Sequence, residues 1–160
     1  MYLLPKPKTI KEQDGQMLLC HSTHIVMTKE VAETEMHAAK RLQEAIRQET
    51  GLILPFSVGE VREGDLSLGI AKTLPEQTYE ITIDEKGGQI SGGDGAGVLY
   101  GVETFCQIVQ QCGGILPCVQ IQDAPDMPNR GYYFDQTRGR VLKLELSLIH
   151  ISEPTRLRRI

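Results

Sequence analysis

The sequence predicts an α+β domain: one mainly antiparallel sheet with two helices packed on one face. Apolar residues recur at helical spacing in residues 29–50 and again in residues 95–112. Around these two stretches lie short segments in which apolar and polar residues alternate, as in half-buried strands. Elements of these two kinds bury their apolar faces by layering helices on a sheet.

Both predicted helices have recognisable ends. Thr28 can cap the first helix, and Gly51 can end it. Asp94 is the expected cap of the second helix, and Gly113 its stop. The expected buried stripe of the second helix consists of Val98, Leu99, Val102, Phe105, Cys106 and Val109.

The strands follow from alternation and turn residues. Residues 8–27 predict a hairpin that turns at Asp14-Gly15, followed by a strand at 24–27. The clearest alternation places Tyr79, Ile81 and Ile83 on one face of a strand. Further strands are expected at residues 52–58, 66–71, 89–92 and 115–121.

Composition limits the classes of function. The chain has 160 residues, 40% of them hydrophobic, which suffices for one core. A net charge of −4 provides no general basic field, so no nucleic-acid partner is expected. Four cysteines without a CxxC pair predict free thiols in a reducing compartment. No apolar run has the length of a signal peptide or membrane span, so we expect a cytoplasmic chain and no membrane partner. Export of a longer parent protein remains compatible with this, and the oligomeric state is not indicated.

Two motifs have competing interpretations. The glycines of residues 92–97, between a strand and a helix, could bind phosphate through backbone N–H groups or could allow close packing. The segment has neither GxGxxG spacing nor a Walker lysine, which favours packing. His21 and His24 could bind a metal, but with no third ligand in reach we expect structural histidines and no metal site.

The segment from Arg130 to Arg138 carries the candidate site. It follows a break at residues 123–128, and its apolar residues 132–134 predict a strand covered on both faces, the first of a second, larger domain. Asp135 ends the strand, and carboxylates at the ends of parallel barrel strands face the active site of that fold. An arginine can donate several fixed hydrogen bonds to sugar hydroxyls. The residues alone leave a structural Arg130–Asp135 ion pair equally open.

Residues 97–107, then Asp123-Ala124-Pro125 and Arg130-Gly131-x-x-x-Asp135-x-x-Arg138, resemble glycoside hydrolase family 20, the β-N-acetylhexosaminidases. The resemblance implies a small N-terminal domain followed by a (β/α)8 barrel. It implies that Arg130 binds hydroxyls of a terminal N-acetylhexosamine in a glycan and places Asp135 near the first barrel strand as a second substrate-binding residue. The implied mechanism is substrate-assisted: the acetamido group attacks the anomeric carbon, an aspartate orients it and an adjacent glutamate is general acid/base. No metal or organic cofactor is implied.

The resemblance also implies a division of the chain. Residues 1–124 form the small domain, residues 125–145 begin a truncated, incomplete barrel, and residues 146–160 resemble translated adapter sequence, a non-native tail. A barrel of this type takes about 250 residues, and no counterpart of the catalytic Asp-Glu pair follows the small domain. Glu80, Asp84 and Glu85 could suggest paired carboxylates, but the solvated face of a strand and its turn is the favoured interpretation. We therefore expect the chain itself to be inactive. The alternatives are a non-catalytic carbohydrate- or protein-binding module and the small domain of another two-domain glycosidase family.

Overall fold

The computed structural model describes residues 1–27 and 33–131. The chain divides into two compact units, Met1–Pro128 and Asn129–Ile160. Of the second unit, the described part is residues 129–131, and every element of secondary structure below belongs to the first unit.

The described residues of the first unit form a seven-stranded sheet with two helices. The helices are α1 (Glu33–Thr50) and α2 (Gly95–Cys112). The strands are β1 (Thr9–Leu18), β2 (Ile25–Met27), β3 (Phe56–Val58), β4 (Leu66–Ile70), β5 (Tyr79–Asp84), β6 (Gly87–Gly92) and β7 (Ile115–Asp123). Across the sheet the strands lie in the order β1-β7-β5-β6-β4-β2-β3.

The α+β class and its two helices agree with the sequence prediction, but the sheet is mixed rather than mainly antiparallel. In the order across the sheet, β1, β7, β5 and β6 pair antiparallel with one another. From β6 onward, β6, β4, β2 and β3 pair parallel. The reason lies in the connections. Helix α1 carries the chain from β2 to the parallel strand β3, and α2 carries it from β6 to β7, which runs in the same direction. A helical crossover returns the chain to the same end of a sheet, so the strands it joins run parallel.

The predicted hairpin in residues 8–27 is wrong. Strand β1 runs unbroken for ten residues and pairs with β7 from Thr9↔Gln122 to Leu18↔Ile115. The pairing shifts register between Glu12 and Gln16, where Gly15 has φ +111°. Asp14-Gly15 therefore marks a β-bulge within one strand, a feature with the same local residue preferences as a turn.

The helix ends follow the predicted chemistry. Asp94 caps α2 by accepting the Gly97 N–H at 2.7 Å, and Gly113, at φ +65°, donates to the Val109 carbonyl. Gly51, at φ +76°, ends α1 by donating to the Arg47 carbonyl at 2.9 Å. Thr28, the expected cap of α1, lies outside the described residues.

The core lies between the helices and one face of the sheet. Side chains from β5, β6 and α2, among them Ile81, Ile90 and Phe105, are almost completely buried. Gly101 lets α2 approach closely, since a Cβ there would lie 2.8 Å from Ile90 Cγ2. The sheet's other face carries polar side chains such as Glu80, and the first unit therefore has one buried and one open sheet face.

Candidate functional site

The chain leaves the α+β domain through residues 123–128, called the exit segment below, and its first residue is firmly held. Asp123 Oδ1 accepts the backbone N–H of Lys8 at 3.2 Å, and Asp123 Oδ2 accepts the Tyr79 hydroxyl at 3.4 Å. The Lys8 ammonium lies 2.9 Å from the Asp126 carboxylate in an exposed ion pair. The exit segment thus starts from a point fixed by β1, β5 and β7.

Tyr79 connects the exit segment to the core. Its hydroxyl lies 2.7 Å from Thr104 Oγ1 on α2, in a buried contact. Burial raises the pKa of Tyr79 to about 12, and the nearby Asp123 carboxylate acts in the same direction. The phenol therefore keeps its proton at neutral pH. It donates a hydrogen bond to the Asp123 carboxylate, and its oxygen shares a second hydrogen bond with Thr104 that helps to pack α2 against the strands.

Arg130 is exposed and follows the exit segment by two residues along the chain. Its guanidinium provides five N–H donors in a planar arrangement that suits vicinal hydroxyls or a carboxylate. Asp135, the other predicted site residue, lies outside the described residues. Whether Arg130 and Asp135 meet at one site stays a prediction.

The residues 92–97, called the Gly-rich turn below, serve close packing. A Cβ at Gly92 would lie 2.2 Å from the Val98 nitrogen, and one at Gly93 would lie 1.9 Å from the Pro75 carbonyl oxygen. A Cβ at Gly97 would lie 2.3 Å from the carbonyl oxygen of Thr78. The Gly97 N–H, which a phosphate could use, donates to the Asp94 carboxylate instead. The geometry favours the packing interpretation over phosphate binding.

Sequence reasoning missed Asp65, a buried carboxylate in which 3% of the residue surface is exposed. Its Oδ1 accepts the His24 N–H and its Oδ2 accepts the Arg62 N–H, each at 2.9 Å. The His24 ring nitrogen Nδ1 lies 2.9 Å from the Ser22 carbonyl oxygen and 3.5 Å from Asp65 Oδ1. Both residues thus hold loops in place, which is the structural role expected for His24. The only sequence signal for Asp65 was an acidic residue placed between Gly64 and a strand.

Asp65 and His24 line a shallow groove of about 340 Å³ together with Ser57, Val58, Glu60 and Arg62. Among the residues that the structure describes, no three His, Cys, Asp or Glu side chains are placed to hold a metal ion. The carboxylate of Asp65 accepts two backbone N–H bonds, so its arrangement suits loop anchoring.

The four cysteines are free thiols with different surroundings. Burial raises the pKa of the Cys106 thiol to about 12, and burial also raises that of Cys118. Hydrogen bonds from Ser22 and Thr23 lower the pKa of the Cys20 thiol. Cys106 therefore behaves as a core residue. Of these three thiols, Cys20 loses its proton most readily to form a thiolate.

The open face of the sheet forms a second shallow groove, of about 260 Å³. The residues that line it come from β1, β5 and β7 and are mostly polar: Thr9, Lys11, Glu80, Ile81, Thr82, Gln120, Ile121 and Gln122. None of these lining residues is aromatic, and sugar-binding surfaces use aromatic rings to stack on pyranose faces. The groove gives no support to a carbohydrate-binding module on this face.

Within the described ranges, no helix is both long and apolar enough to span a membrane.

Comparison with known proteins identifies the family. The sequence profile of "Glycosyl hydrolase family 20, domain 2" matches residues 1–124. A protein named Beta-hexosaminidase from Vibrio furnissii is 29% identical over 155 residues, a match that covers 92% of this chain and 24% of that protein. The chain thus spans about a quarter of the length of this relative.

Solved structures share the fold. The Flavobacterium johnsoniae chitobiase superposes with a TM-score of 0.71 at 20% identity, over 84% of this chain and 22% of that one. The GH20 exo-β-N-acetylglucosaminidase of Vibrio harveyi, in complex with N-acetylglucosamine, gives a TM-score of 0.63 at 19% identity. That match covers 78% of this chain and 19% of the other. The match of the family profile to residues 1–124 shows that the chain belongs to glycosyl hydrolase family 20 and includes domain 2 of that family.

Proposed function

We propose that the protein to which this chain belongs is a β-N-acetylhexosaminidase that hydrolyses terminal N-acetylglucosamine or N-acetylgalactosamine from glycans. Membership of glycosyl hydrolase family 20 supports this, as does the name Beta-hexosaminidase of the Vibrio furnissii relative. The Vibrio harveyi structure, a complex with N-acetylglucosamine, supports the class of sugar. The four free thiols support a reducing compartment such as the cytoplasm.

One observation carries the proposal furthest: the Vibrio furnissii match extends past the small domain. It covers 92% of the 160 residues, about 147 of them, so wherever it begins it includes both Arg130 and Asp135. The similarity to a named hexosaminidase therefore includes the segment in which the sequence predicts substrate-binding residues. If the α+β domain were a freestanding binding module, the similarity to the hexosaminidase would not be expected to continue past the end of that domain.

In this proposal the α+β domain has a supporting role, and Arg130 contacts the substrate. Its guanidinium donates hydrogen bonds to hydroxyls of the terminal sugar, and hydrogen bonds from a charged donor are among the stronger ones in proteins. Asp135 belongs to the same substrate-binding segment. The reaction is substrate-assisted, with the sugar's own acetamido group as nucleophile, so it differs from the usual scheme of two enzyme carboxylates.

A chimera tests the proposal. Residues 1–131 of this chain replace the aligned segment of the Vibrio furnissii protein, and release of nitrophenol from nitrophenyl N-acetyl-β-glucosaminide is measured. We expect the chimera to hydrolyse this substrate. The 160-residue chain by itself should release none, since it spans 24% of the relative's length.

In the chimera, Arg130→Ala should lower kcat/KM about 100-fold, as expected for losing two hydrogen bonds to a charged donor at about 1.5 kcal/mol each. Arg62→Ala is the matched control, because Arg62 is exposed and its contact to Asp65 uses the backbone N–H. A folded chimera without activity would contradict the proposed function. Equal activity of the Arg130→Ala and Arg62→Ala chimeras would contradict the role of Arg130.

A further inference from the structure

Gln77 has an unusual backbone conformation. Among the described residues it is the one non-glycine residue with a positive φ, at +61°. Residues other than Gly, Asn and Asp rarely adopt this left-handed backbone conformation, because their Cβ atom comes too close to the following carbonyl oxygen. A glutamine held there indicates that its side chain has a use that a glycine could not fulfil.

The Gly-rich turn holds the backbone of Gln77. The Gln77 N–H donates to Asp94 Oδ1 at 3.1 Å, the oxygen that also caps α2 through Gly97. The carbonyl of Pro75, two residues before Gln77, rests directly on Gly93, where a Cβ would lie only 1.9 Å away. The start of α2 therefore fixes the position of the loop that carries Gln77.

The side chain of Gln77 reaches the end of the exit segment. Its Nε2 donates to the Pro128 carbonyl oxygen at 3.1 Å, across 51 residues of sequence. Asp123, at the other end of the exit segment, is bound by Lys8 and Tyr79. The exit segment is thus held at both of its ends, and Pro128 is the last residue of the first compact unit.

We propose that Gln77 is a positioning residue: its amide holds the Pro128 carbonyl and fixes the point at which the chain leaves the α+β domain, two residues before Arg130. The glycines at 93 and 97 contribute by letting Pro75 and Thr78 of the loop pack directly against the start of α2. This assignment concerns the α+β domain alone and holds or fails independently of any hydrolase activity.

The test is a measurement of backbone order in the 160-residue chain by ¹⁵N relaxation. Gln77→Glu keeps the shape of the side chain but replaces the amide donor with a carboxylate, which cannot donate to Pro128. The amides of Met127 and Asn129, which flank Pro128, should have order parameters of about 0.85 in the wild type and below about 0.6 in the variant. Gln89→Glu is the matched control, since Gln89 is an exposed residue of β6 whose amide contacts Ser91.

A second variant separates positioning from folding. Gln77→Gly removes the side chain and suits the left-handed backbone, so it should melt no lower than the wild type yet show the same loss of order beside Pro128. Order parameters at Met127 and Asn129 that stay at the wild-type value in both Gln77 variants would overturn the proposal. So would values that are already below about 0.6 in the wild type.

Discussion

Substitution of Gly93 by alanine should destabilise the α+β domain severely. A Cβ at this position would lie 1.9 Å from the Pro75 carbonyl oxygen, 2.7 Å from the Pro75 carbonyl carbon and 2.8 Å from the Leu74 carbonyl oxygen. Cβ atoms essentially never approach other atoms this closely, and all three neighbours belong to the backbone. No side-chain rotation can relieve the clash, so the loop of residues 74–77 has to move.

The size of the effect follows from what that movement breaks. Overpacking a close contact costs about 1–3 kcal/mol. The loop also depends on hydrogen bonds from Gly93 N–H to the Thr78 carbonyl, at 2.9 Å, and from Thr78 N–H to the Pro75 carbonyl, at 3.2 Å. Each contributes about 1 kcal/mol. We expect Gly93→Ala to lower the free energy of unfolding by about 3 kcal/mol, or the melting temperature by about 10 °C.

Urea unfolding followed by far-UV circular dichroism measures this difference, with Gly114→Ala as the matched control. A Cβ at Gly114 would have its nearest neighbour at 3.7 Å, in ordinary contact with Thr50 Cγ2. Alanine there should leave stability unchanged or raise it by about 0.5 kcal/mol, since it restricts the unfolded chain. If Gly93→Ala were as stable as Gly114→Ala, the packing interpretation of the Gly-rich turn would be refuted.

Three further predictions concern polar contacts. Folding raises the pKa of Tyr79 from 10 to about 12. The contribution of its protonated hydroxyl to the free energy of unfolding is therefore complete below pH 10 and is lost as the pH rises to about 12. Tyr79→Phe should cost about 1 kcal/mol at pH 7 and remove that alkaline loss, which urea unfolding of both proteins across this pH range would reveal. Asp65→Asn should cost about 2–3 kcal/mol, because one of the two part-buried backbone N–H groups loses its charged acceptor; a loss no larger than that of exposed Glu60→Gln would contradict this. Arg41→Ala should cost less than about 1 kcal/mol of stability, because the side chains of its ion pair are well exposed, Arg41 by 39% and Glu103 by 46%. A loss of about 2 kcal/mol or more that does not depend on salt concentration would contradict this.

Elements defined by local chemistry could be predicted from the sequence. Helix α2 has its cap at Asp94, its stop at Gly113 and a continuous apolar stripe, and the structure has it at Gly95–Cys112. Strand β5 was equally clear, because its alternating burial repeats the alternation of its residues. Such signals lie within a few residues of each other and do not depend on the rest of the chain.

Strand direction and the bulge could not be predicted, because both depend on partners distant in sequence. Strand β2 is three residues long and buried throughout, so it has no period from which a direction could be inferred. Asp14-Gly15 has the composition of a turn, and only the pairing of β1 with β7 shows that the chain continues there as the same strand. Asp65 was missed for the same reason: its burial arises from the loops that meet around it.

At the candidate site, the sequence predicts a substrate-binding segment that begins at Arg130, but it gives no sign of the contacts made by the chain just before it. Arg130 was predicted from its place ahead of an apolar run, and the similarity to a hexosaminidase extends across it. Gln77 gave no signal, because a glutamine in a loop is ordinary and its left-handed φ is visible only in coordinates.

The pairing of β1 with β7 has a consequence for synthesis of the protein. Thr9 lies opposite Gln122, so the first strand of this domain to be synthesised must wait for its neighbour until more than a hundred further residues have been translated. Contacts between residues so far apart in sequence slow folding, because a long loop must close before they form. The nascent domain therefore remains open at this edge until the exit segment is being made, and a chaperone that shields an unpaired strand would act during that interval.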